Sequence, residues 1–242
     1  KREAEELLKQ AREEGREADA AMLAQRTTRL TKDMAGEAKQ LLALMGLPVV
    51  LAPSEGEAEC SVLCEKGLVK AACSQDFDSL LFGTPRLVRN LAIAGRRKLP
   101  RREIYVDVVP EEFFLKESLD ALAITRQKLV WIAMLCGTYF NQGVKGIGPK
   151  KGLKLVKEHS SFREVLQAAK SEMDFEEVEE LFLHPPQSPT VASDLTFHEP
   201  NKRGIEEFML ARDFSQERIK HALARAFKEP LTSQQEGLGK WV

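Results

Sequence analysis

The chain has 242 residues, of which 43% are hydrophobic and 30% are charged. That length and balance suit one substantial globular domain, alone or with an appendage, and exclude a wholly disordered chain. The formal net charge is −1, so any binding of nucleic acid must come from local basic patches rather than from the overall field.

The cysteines and the apolar runs indicate the kind of cellular compartment in which the protein is expected. No two of the four cysteines have CxxC spacing; they are Cys60, Cys64, Cys73 and Cys136. We expect buried free thiols in a reducing cell, with Cys60 and Cys64 on one helix face, rather than a disulfide or a zinc site. No apolar run approaches the ~20 residues that span a bilayer, and no signal peptide is visible. We therefore expect a soluble, intracellular protein with no membrane partner.

Helical periodicity begins at the first residue. Apolar positions in 1–14 follow the i, i+3, i+4, i+7 spacing with no cap ahead of them, and the first residue is not methionine, so we expect a chain shortened at its start. Another helix is predicted over 33–46, ending at Gly46, which suits a C′ position. The apolar residues expected to face the core from this helix are Leu41, Leu42, Leu44 and Met45.

Two pairs of acidic residues follow two short apolar runs. Glu55 and Glu57 come after 48–52, and Asp76 and Asp78 come after 69–73. This pattern predicts a strand–helix–strand unit with parallel strands, which brings all four carboxylates to the carboxyl edge of one sheet. Close carboxylates repel, and a hard divalent cation with oxygen ligands stabilises such a cluster. The sequence therefore predicts a metal site.

Both pairs also have an ordinary structural interpretation. Ser54 and Glu57 have the spacing of a capping box, and acids in a first helical turn favour the helix dipole. The alternative for Asp76 and Asp78 is a solvated Asx turn, although their alternate spacing aims both carboxylates similarly and directs Phe77 into the core. A more irregular β region is predicted at 86–90 and 98–108, at the sheet edge.

The segment 121–160 is basic. We predict a helix over 126–137, a glycine-containing loop and a second helix that begins at Pro149. Exposed amides at a helix N-terminus bind phosphate oxygens, so this hairpin is expected to grip a DNA backbone without reading its sequence. The alternative is an ordinary αα-hairpin with a solvated lysine face. Against one acid, Glu158, the segment has Arg126, Lys128, Lys145, Lys150, Lys151, Lys154 and Lys157.

These motifs together resemble those of the flap endonucleases, structure-specific 5′ nucleases of DNA replication and repair. The resemblance covers essentially the whole chain and rests on four segments: RTTRLT at 26–31, APSEGEA at 52–58, SQDFDSLLFG at 74–83 and GVKGIGPK at 143–150. It implies an α/β, three-layer PIN-like fold of the 5′-3′ exonuclease type, with an incomplete parallel-type sheet flanked by helices and a helix-three-turn-helix element.

The resemblance also implies a division of the chain. The expected regions are an arch remnant at 1–30, a nuclease core with the acidic cluster at 31–120, the helix-three-turn-helix at 121–160, a C-terminal helical region at 161–230 and a clamp-binding tail at 231–242.

By this resemblance, Glu55, Glu57, Asp76 and Asp78 are the catalytic residues and the ligands of two Mg²⁺ ions, with Mn²⁺ as an alternative. The implied reaction is hydrolysis of a phosphodiester at a junction of single-stranded and duplex DNA, with the two ions activating water and stabilising the leaving oxygen. The implied DNA contacts are Lys145, Gly146, Gly148, Lys150, Lys151 and Lys154, and the implied K⁺ site at the hairpin is formed by the carbonyls of Val144 and Ile147.

The chain departs from the family pattern beside the expected metal site. Tyr139 occupies the loop position where the family has an aspartate that contributes to that site, and Gln142 removes another nearby acid. The family's first strand, two further aspartates and basic arch residues also precede anything present here. We therefore expect weak or absent cleavage by this chain. The alternative is a branched-DNA-binding module that docks to a sliding clamp without catalysis.

Residues 231–242 lose helical periodicity. Gln235, Leu238, Trp241 and Val242 match the Q-x-x-h-x-x-a-a pattern by which the family docks to a PCNA-type sliding clamp, with Val242 replacing the second aromatic residue. A short tail that orders on binding presents such residues as anchors. The alternative is a frayed terminus with an incidental tryptophan. The expected partners are therefore branched or flapped DNA and a sliding clamp.

Overall fold

The computed structural model describes residues 10, 14–16, 31–93, 95–98 (backbone alone at 96–98) and 104–227. The chain divides into two compact units, the first comprising 1–49 and 196–230 and the second 50–195 and 231–242. Most of the predicted arch remnant at 1–30, and all of the predicted clamp-binding tail with Gln235, Leu238, Trp241 and Val242, lie outside the described residues.

The described residues form short strands between two early helices and a run of seven later helices, with one short helix between the first two strands. The helices are α1 (Lys32–Leu44), α2 (Gly56–Glu65), α3 (Asp78–Leu81), α4 (Leu115–Leu122), α5 (Arg126–Cys136), α6 (Pro149–Glu158), α7 (Phe162–Ala169), α8 (Glu176–Leu183), α9 (Lys202–Leu210) and α10 (Gln216–Ala226). The strands are β1 (Ala72–Cys73), β2 (Arg86–Arg89), β3 (Gly95–Lys98), β4 (Tyr105–Val108) and β5 (Glu111–Phe114).

In the first unit, α1 lies against α9. The helix begins after Thr31, whose Oγ1 accepts a hydrogen bond from the Met34 amide at 3.1 Å. It ends before Gly46, which has φ +76° and leaves no room for a Cβ beside the His198 carbonyl. The prediction that Leu41, Leu42, Leu44 and Met45 enter the core was too strong. No residue of α1 is fully buried, although α1 packs against α9.

The second unit contains a small mixed sheet. β1 pairs in parallel with β2, and β2 pairs antiparallel with β5, so the strand order is β1-β2-β5. β3 and β4 form a separate hairpin rather than the sheet edge. Leu87 and Val88 of the central strand are buried. The predicted α/β fold with a small sheet flanked by helices is confirmed.

The first predicted strand is wrong. Residues 48–52 form no ladder with any described segment, and Val49 and Leu51 are exposed. A strand exists only where a neighbour supplies backbone partners, and an apolar run alone does not supply one. The second predicted strand, 69–73, is reduced to Ala72–Cys73, so the helix between them does not form a regular crossover unit.

The core of the second unit is helical. It is formed by α5, α6, α7 and α8 around Val130, Met134, Val156 and Phe182, none of which has measurable exposure. Phe182 packs on Phe82 with ring centroids 4.9 Å apart. This core supports both regions of functional interest, because α5 and α6 form the predicted hairpin and Phe82 follows the acidic segment.

All four cysteines are free, but only Cys64 is buried. Cys60 lies on the outer face of α2, and Cys73 alternates outward from β1, an edge strand, while Ala72 points inward. The expectation of buried thiols is therefore wrong for Cys60, Cys73 and Cys136. None of the helices in the described part of the chain is both long and apolar enough to cross a bilayer.

Candidate active site and nucleic-acid interface

The four predicted acidic residues line one concavity. Glu55, Glu57, Asp76 and Asp78 border a cavity of about 270 Å³ whose other lining residues are Phe82, Tyr139 and Phe140. The structure thus brings together all four carboxylates, although the two short apolar runs that precede them do not form two complete strands.

Glu57 is oriented by a side chain from the sheet. α2 begins at Gly56, and Glu55 is its N-cap residue with no capping hydrogen bond from its side chain. The capping box of Ser54 and Glu57 does not form. Instead, Ser74 Oγ donates to Glu57 Oε1 at 3.2 Å, which turns the Glu57 carboxylate toward the segment that carries the second acidic pair.

Asp76 and Asp78 occupy a tight turn. The Asp76 amide donates to Ser74 Oγ at 3.0 Å, and the Asp78 amide donates to Asp76 Oδ1 at 3.2 Å. The Asx turn therefore forms, and it lies on the cavity rather than away from it. Phe77 does not enter the core. It is 44% exposed, with the Arg89 guanidinium 4.1 Å from its ring centroid.

Electrostatic repulsion within this group is visible at Asp78. Burial raises the pKa of the Asp78 carboxyl, and the charges of Asp76 and Glu57 raise it further. Within the described part of the chain, none of the four carboxylates forms an ion pair with a lysine or arginine. Among the described residues, the negative charge of the concavity is therefore not compensated by a cation, and such charge attracts cations.

The donor set fits hard divalent cations. It consists of carboxylate oxygens, the ligands that Mg²⁺ and Mn²⁺ prefer, and a cation at the concavity would relieve the repulsion at Asp78. As placed, no three histidine, cysteine or carboxylate side chains of the described residues converge tightly enough to hold one ion. Ion binding therefore requires the carboxylates to draw together around the cavity.

Tyr139 stands on the rim of this cavity. Its side chain is 90% exposed and meets Phe140 edge to face, with ring centroids 5.5 Å apart, while Phe140 packs against Phe182. Asn141 fixes the loop, because its Nδ2 donates to the Met134 carbonyl at 2.8 Å. The loop thus holds a neutral phenol beside the four carboxylates.

The predicted hairpin is confirmed as α5, a loop and α6. The loop is closed at its base by Gly143, where a Cβ would come within 2.4 Å of the Cys136 carbonyl carbon. Gly146 has φ +81°, and Gly148 is the N-cap of α6 with no capping side chain. Apart from the glycine itself and its chain neighbours, no atom of the described residues lies within 4 Å of the place where a Cβ would stand at Gly146 or Gly148. The backbone before α6 is therefore open to a ligand.

The lysines of the hairpin differ in their availability. Lys145, Lys150, Lys151 and Lys154 are all exposed. Lys151 Nζ donates to the Gly146 carbonyl at 3.0 Å, and Lys154 lies 3.8 Å from Glu158. The Val144 carbonyl already accepts from the Ile147 amide at 3.0 Å, so one lone pair remains there for a cation.

Arg126 is not part of the exposed basic surface. Its guanidinium donates to the carbonyls of Leu81, Phe82 and Phe182 at 3.0, 2.7 and 2.7 Å. Burial lowers the pKa of Arg126, and nearby Glu65 raises it. Arg126 therefore adds to the basic count of 121–160 but not to its exposed basic surface, because a residue at the start of a helix can face the core as readily as the solvent.

Comparisons with known proteins agree with this arrangement. The family model described as the XPG I-region matches residues 46–138. Flap endonuclease 1 of Pyrococcus furiosus is 44% identical over 241 residues, which are 99% of this chain and 70% of that protein. This chain belongs to the flap endonuclease family.

Solved structures extend the likeness to the fold. Flap endonuclease-1 from Methanococcus jannaschii superposes with a TM-score of 0.69 at 37% identity, over 87% of this chain and 62% of that one. The catalytic core of Rad2 in complex with DNA substrate superposes with a TM-score of 0.64 at 22% identity, over 84% of this chain and 72% of that core. At that identity, the likeness to Rad2 shows the fold alone.

The flap endonuclease motifs alone did not reveal Ser74 or Phe140 as parts of the site. Ser74 bonds both Glu57 and the Asp76 amide, and Phe140 forms one wall of the cavity. The signal for Ser74 is its position two residues before Asp76, the spacing of a hydroxyl that bonds the backbone two residues on. No local pattern marks Phe140, whose neighbours come from distant segments.

Proposed function

We propose that this chain is a structure-specific 5′ flap endonuclease and 5′-3′ exonuclease that hydrolyses phosphodiesters at junctions of single-stranded and duplex DNA. The observation that carries the proposal is the placement of Glu55, Glu57, Asp76 and Asp78 around one concavity. A cluster of carboxylates with no cationic partner among the described residues suits the neutralisation of metal ions that in turn hold a phosphate.

The proposed metal ligands are the same four carboxylates, and the proposed ions are two Mg²⁺ or Mn²⁺. Such ions supply an activated water and charge stabilisation for the leaving oxygen. The chain's own residues hold and space the charges. Ser74 fixes the Glu57 carboxylate, the Asx turn fixes Asp76 relative to Asp78, and Phe82 and Phe140 give the cavity an apolar wall.

The proposed DNA site is the open backbone before α6 together with its lysines. The space where a Cβ would stand at Gly146 and Gly148 is open, and Lys145, Lys150, Lys151 and Lys154 are exposed around that position. These groups would contact phosphates of flapped or branched DNA, without sequence readout. We also propose that the carbonyls of Val144 and Ile147 bind K⁺ at this hairpin.

The decisive experiment combines metal binding with cleavage. We expect calorimetry to detect Mg²⁺ binding by the parent chain and its loss in Asp76→Ala/Asp78→Ala, with parallel loss of cleavage of a labelled 5′-flap duplex. The matched control is Glu117→Ala/Asp120→Ala, which removes two exposed acids from α4. The proposal fails if the parent binds no divalent ion, or if both double variants behave alike.

The second candidate is a module that binds branched DNA without cutting it. Tyr139 favours this candidate because it places a neutral, exposed ring where a further carboxylate would add to the metal site. The same experiment distinguishes the two, since the module would retain flap binding by the hairpin with no metal-dependent product.

A clamp partner is proposed from the tail. Gln235, Leu238, Trp241 and Val242 would anchor 231–242 to a PCNA-type sliding clamp inside the cell. A pull-down with the clamp should lose most of its signal in Trp241→Ala. Equal capture of the parent and the variant would remove this partner while leaving the nuclease proposal intact.

A further inference from the structure

Three buried hydroxyl residues lie in or beside the segments that carry the carboxylates. Ser61, Ser79 and Thr84 have no measurable exposure, and they come from α2, α3 and the residue after Gly83. Burying a hydroxyl costs free energy unless it is hydrogen-bonded, so each of the three is expected to have a hydrogen-bond partner.

Ser61 joins the two elements that carry the acids. Its Oγ lies 2.8 Å from the carbonyl oxygen of Glu57 and 3.1 Å from that of Ser79, the residue after Asp78. The bond to Glu57 is the usual one between a helical serine and the residue four positions earlier. The contact with Ser79 spans two elements and sets the spacing between the backbones of the two acidic segments.

Thr84 completes the arrangement. Its hydroxyl pairs with Ser61 Oγ, and its amide donates to the Ser79 carbonyl at 3.0 Å. With the Thr84 hydroxyl as donor to Ser61, the single Ser61 proton is free to lie between the carbonyls of Glu57 and Ser79. Thr84 therefore orients Ser61 and holds α3 through the same carbonyl.

Ser79 shows that these contacts are specific. Within the described residues, its hydroxyl is the buried side-chain oxygen that has no hydrogen-bond partner. The serine next to Asp78 thus contributes its backbone carbonyl and not its side chain. This difference between Ser79 and Ser61 provides a matched control within the same cluster.

We propose that Ser61 and Thr84 are positioning residues of the carboxylate site, which set the distance between Glu57 and Asp78 and thereby the affinity for divalent ions. The proposal rests on the proposed metal-dependent function. Neither residue touches the cavity, since its lining consists of the four carboxylates, Phe82, Tyr139 and Phe140. Both act through the backbone that carries the acids.

The test measures Mg²⁺ binding by calorimetry and, separately, thermal unfolding in EDTA. Ser61→Ala and Thr84→Val should each weaken Mg²⁺ binding about tenfold, the lower end of what loss of a supporting hydrogen bond costs a metal site. Thr84→Ser keeps the hydroxyl and should restore the parent affinity. Ser79→Ala should leave Mg²⁺ affinity unchanged and should not lower the melting temperature, because the hydroxyl that it removes has no partner.

Each outcome bears on the proposal. A purely structural role would lower the melting temperature of Ser61→Ala and Thr84→Val while leaving Mg²⁺ affinity at the parent value, and that result overturns it. Thr84→Val is nearly isosteric and provides the measurement if Ser61→Ala does not fold. If the parent binds no Mg²⁺, the proposed function and this inference both fail; if parent and variants bind equally, this inference alone fails.

Discussion

The carboxylate cavity and the hairpin before α6 lie in the same unit but are built in opposite ways. The cavity is assembled from three separate stretches, 55–57, 76–82 and 139–140, and it is acidic. The hairpin is one continuous stretch from α5 to α6 whose loop contributes Tyr139 and Phe140 to the cavity, and four exposed lysines, at 145, 150, 151 and 154, lie around the start of α6. Because the charges of the two regions nearly cancel in the net charge of −1, the overall composition does not reveal which ions or nucleic acids such a chain binds.

The largest expected effect separates cleavage from DNA binding. Glu57→Gln removes one charge while its side-chain oxygen can still accept from Ser74. We expect the weak cleavage of a 5′-flap duplex by the parent chain to fall roughly 10³-fold, about 4 kcal/mol, because metal-assisted charge stabilisation is worth several kcal/mol. Flap affinity measured by fluorescence anisotropy in Ca²⁺ should not fall. Glu117→Gln on α4 is the control and should change neither quantity. If flap affinity falls as far as cleavage in Glu57→Gln, the two regions are not separable.

Arg126 connects the two regions mechanically. It begins the first helix of the hairpin and holds the carbonyls of Leu81 and Phe82 behind the acidic turn. Arg126→Lys keeps the charge but loses the planar guanidinium that reaches several carbonyls at once. We expect the free energy of unfolding to fall by about 3 kcal/mol, because two hydrogen bonds from a charged donor are lost. Urea unfolding measures this change.

The control for this variant is Arg163→Lys. Arg163 pairs with Glu176 at 2.7 Å, but its side chain is 76% exposed. An exposed pair contributes about 1 kcal/mol or less, so the control should unfold close to the parent. Equal losses in both variants would mean that the carbonyl contacts of Arg126 contribute little.

The sequence predicted the hairpin better than the cavity, for a physical reason. The α5 end, the glycines and the Pro149 start of α6 are local features, each determined by residues within one turn. The cavity depends on pairings across the chain. The apolar run at 48–52 has the composition of a strand but pairs with no described strand. Conversely, β5 pairs with β2 although its sequence carries no strong alternating pattern.

The acidic residues were nevertheless identified correctly as neighbours. Their proximity does not require the first strand, because Ser74 ties Glu57 to the acidic turn and Ser61 ties α2 to α3. Such side-chain bonds cannot be read from periodicity. The wrong placement of Phe77 has the same origin, since its ring packs edge to face on Phe113 of β5, with centroids 5.0 Å apart.

The hairpin itself is tested by Lys145→Ala/Lys150→Ala. Each lysine should contribute about 1 kcal/mol, the size of a unit-charge contact at 4 Å in water, so flap affinity should fall roughly 30-fold. The slope of log affinity against log salt should decrease by about 2, equally for unrelated sequences. Lys116→Ala on α4 is the control. An unchanged salt slope would exclude these lysines as phosphate contacts.

Tyr139 tests whether the rim of the cavity limits metal binding. Tyr139→Asp places a fifth carboxylate beside the existing four, and we expect Mg²⁺ affinity by calorimetry to rise about tenfold, or 1.4 kcal/mol. Tyr139→Phe keeps the ring and should leave the affinity unchanged. If Tyr139→Asp binds Mg²⁺ no better than the parent, the loop does not approach the bound ions.

The smallest effect concerns the pH dependence of stability without metal. Since burial and the charges of Asp76 and Glu57 raise the pKa of Asp78, the folded chain binds a proton there more tightly than the unfolded chain does. The resulting stabilisation is present at low pH and is lost as pH rises from the ordinary carboxyl pKa through the raised one. Asp78→Asn cannot titrate, so in EDTA it should gain stability relative to the parent across that window.

Denaturant unfolding in EDTA at a series of pH values checks this difference, and Asp120→Asn on α4 is the control, with no such trend expected. Mg²⁺ should reverse the sign at neutral pH, because an ion bound only by the folded parent stabilises it and the variant has lost a ligand. A parent that is more stable than Asp78→Asn in EDTA at neutral pH would mean that repulsion within the cavity is not the dominant interaction of Asp78. In that case, mutual repulsion of the carboxylates would not distinguish the acidic cavity from the basic hairpin.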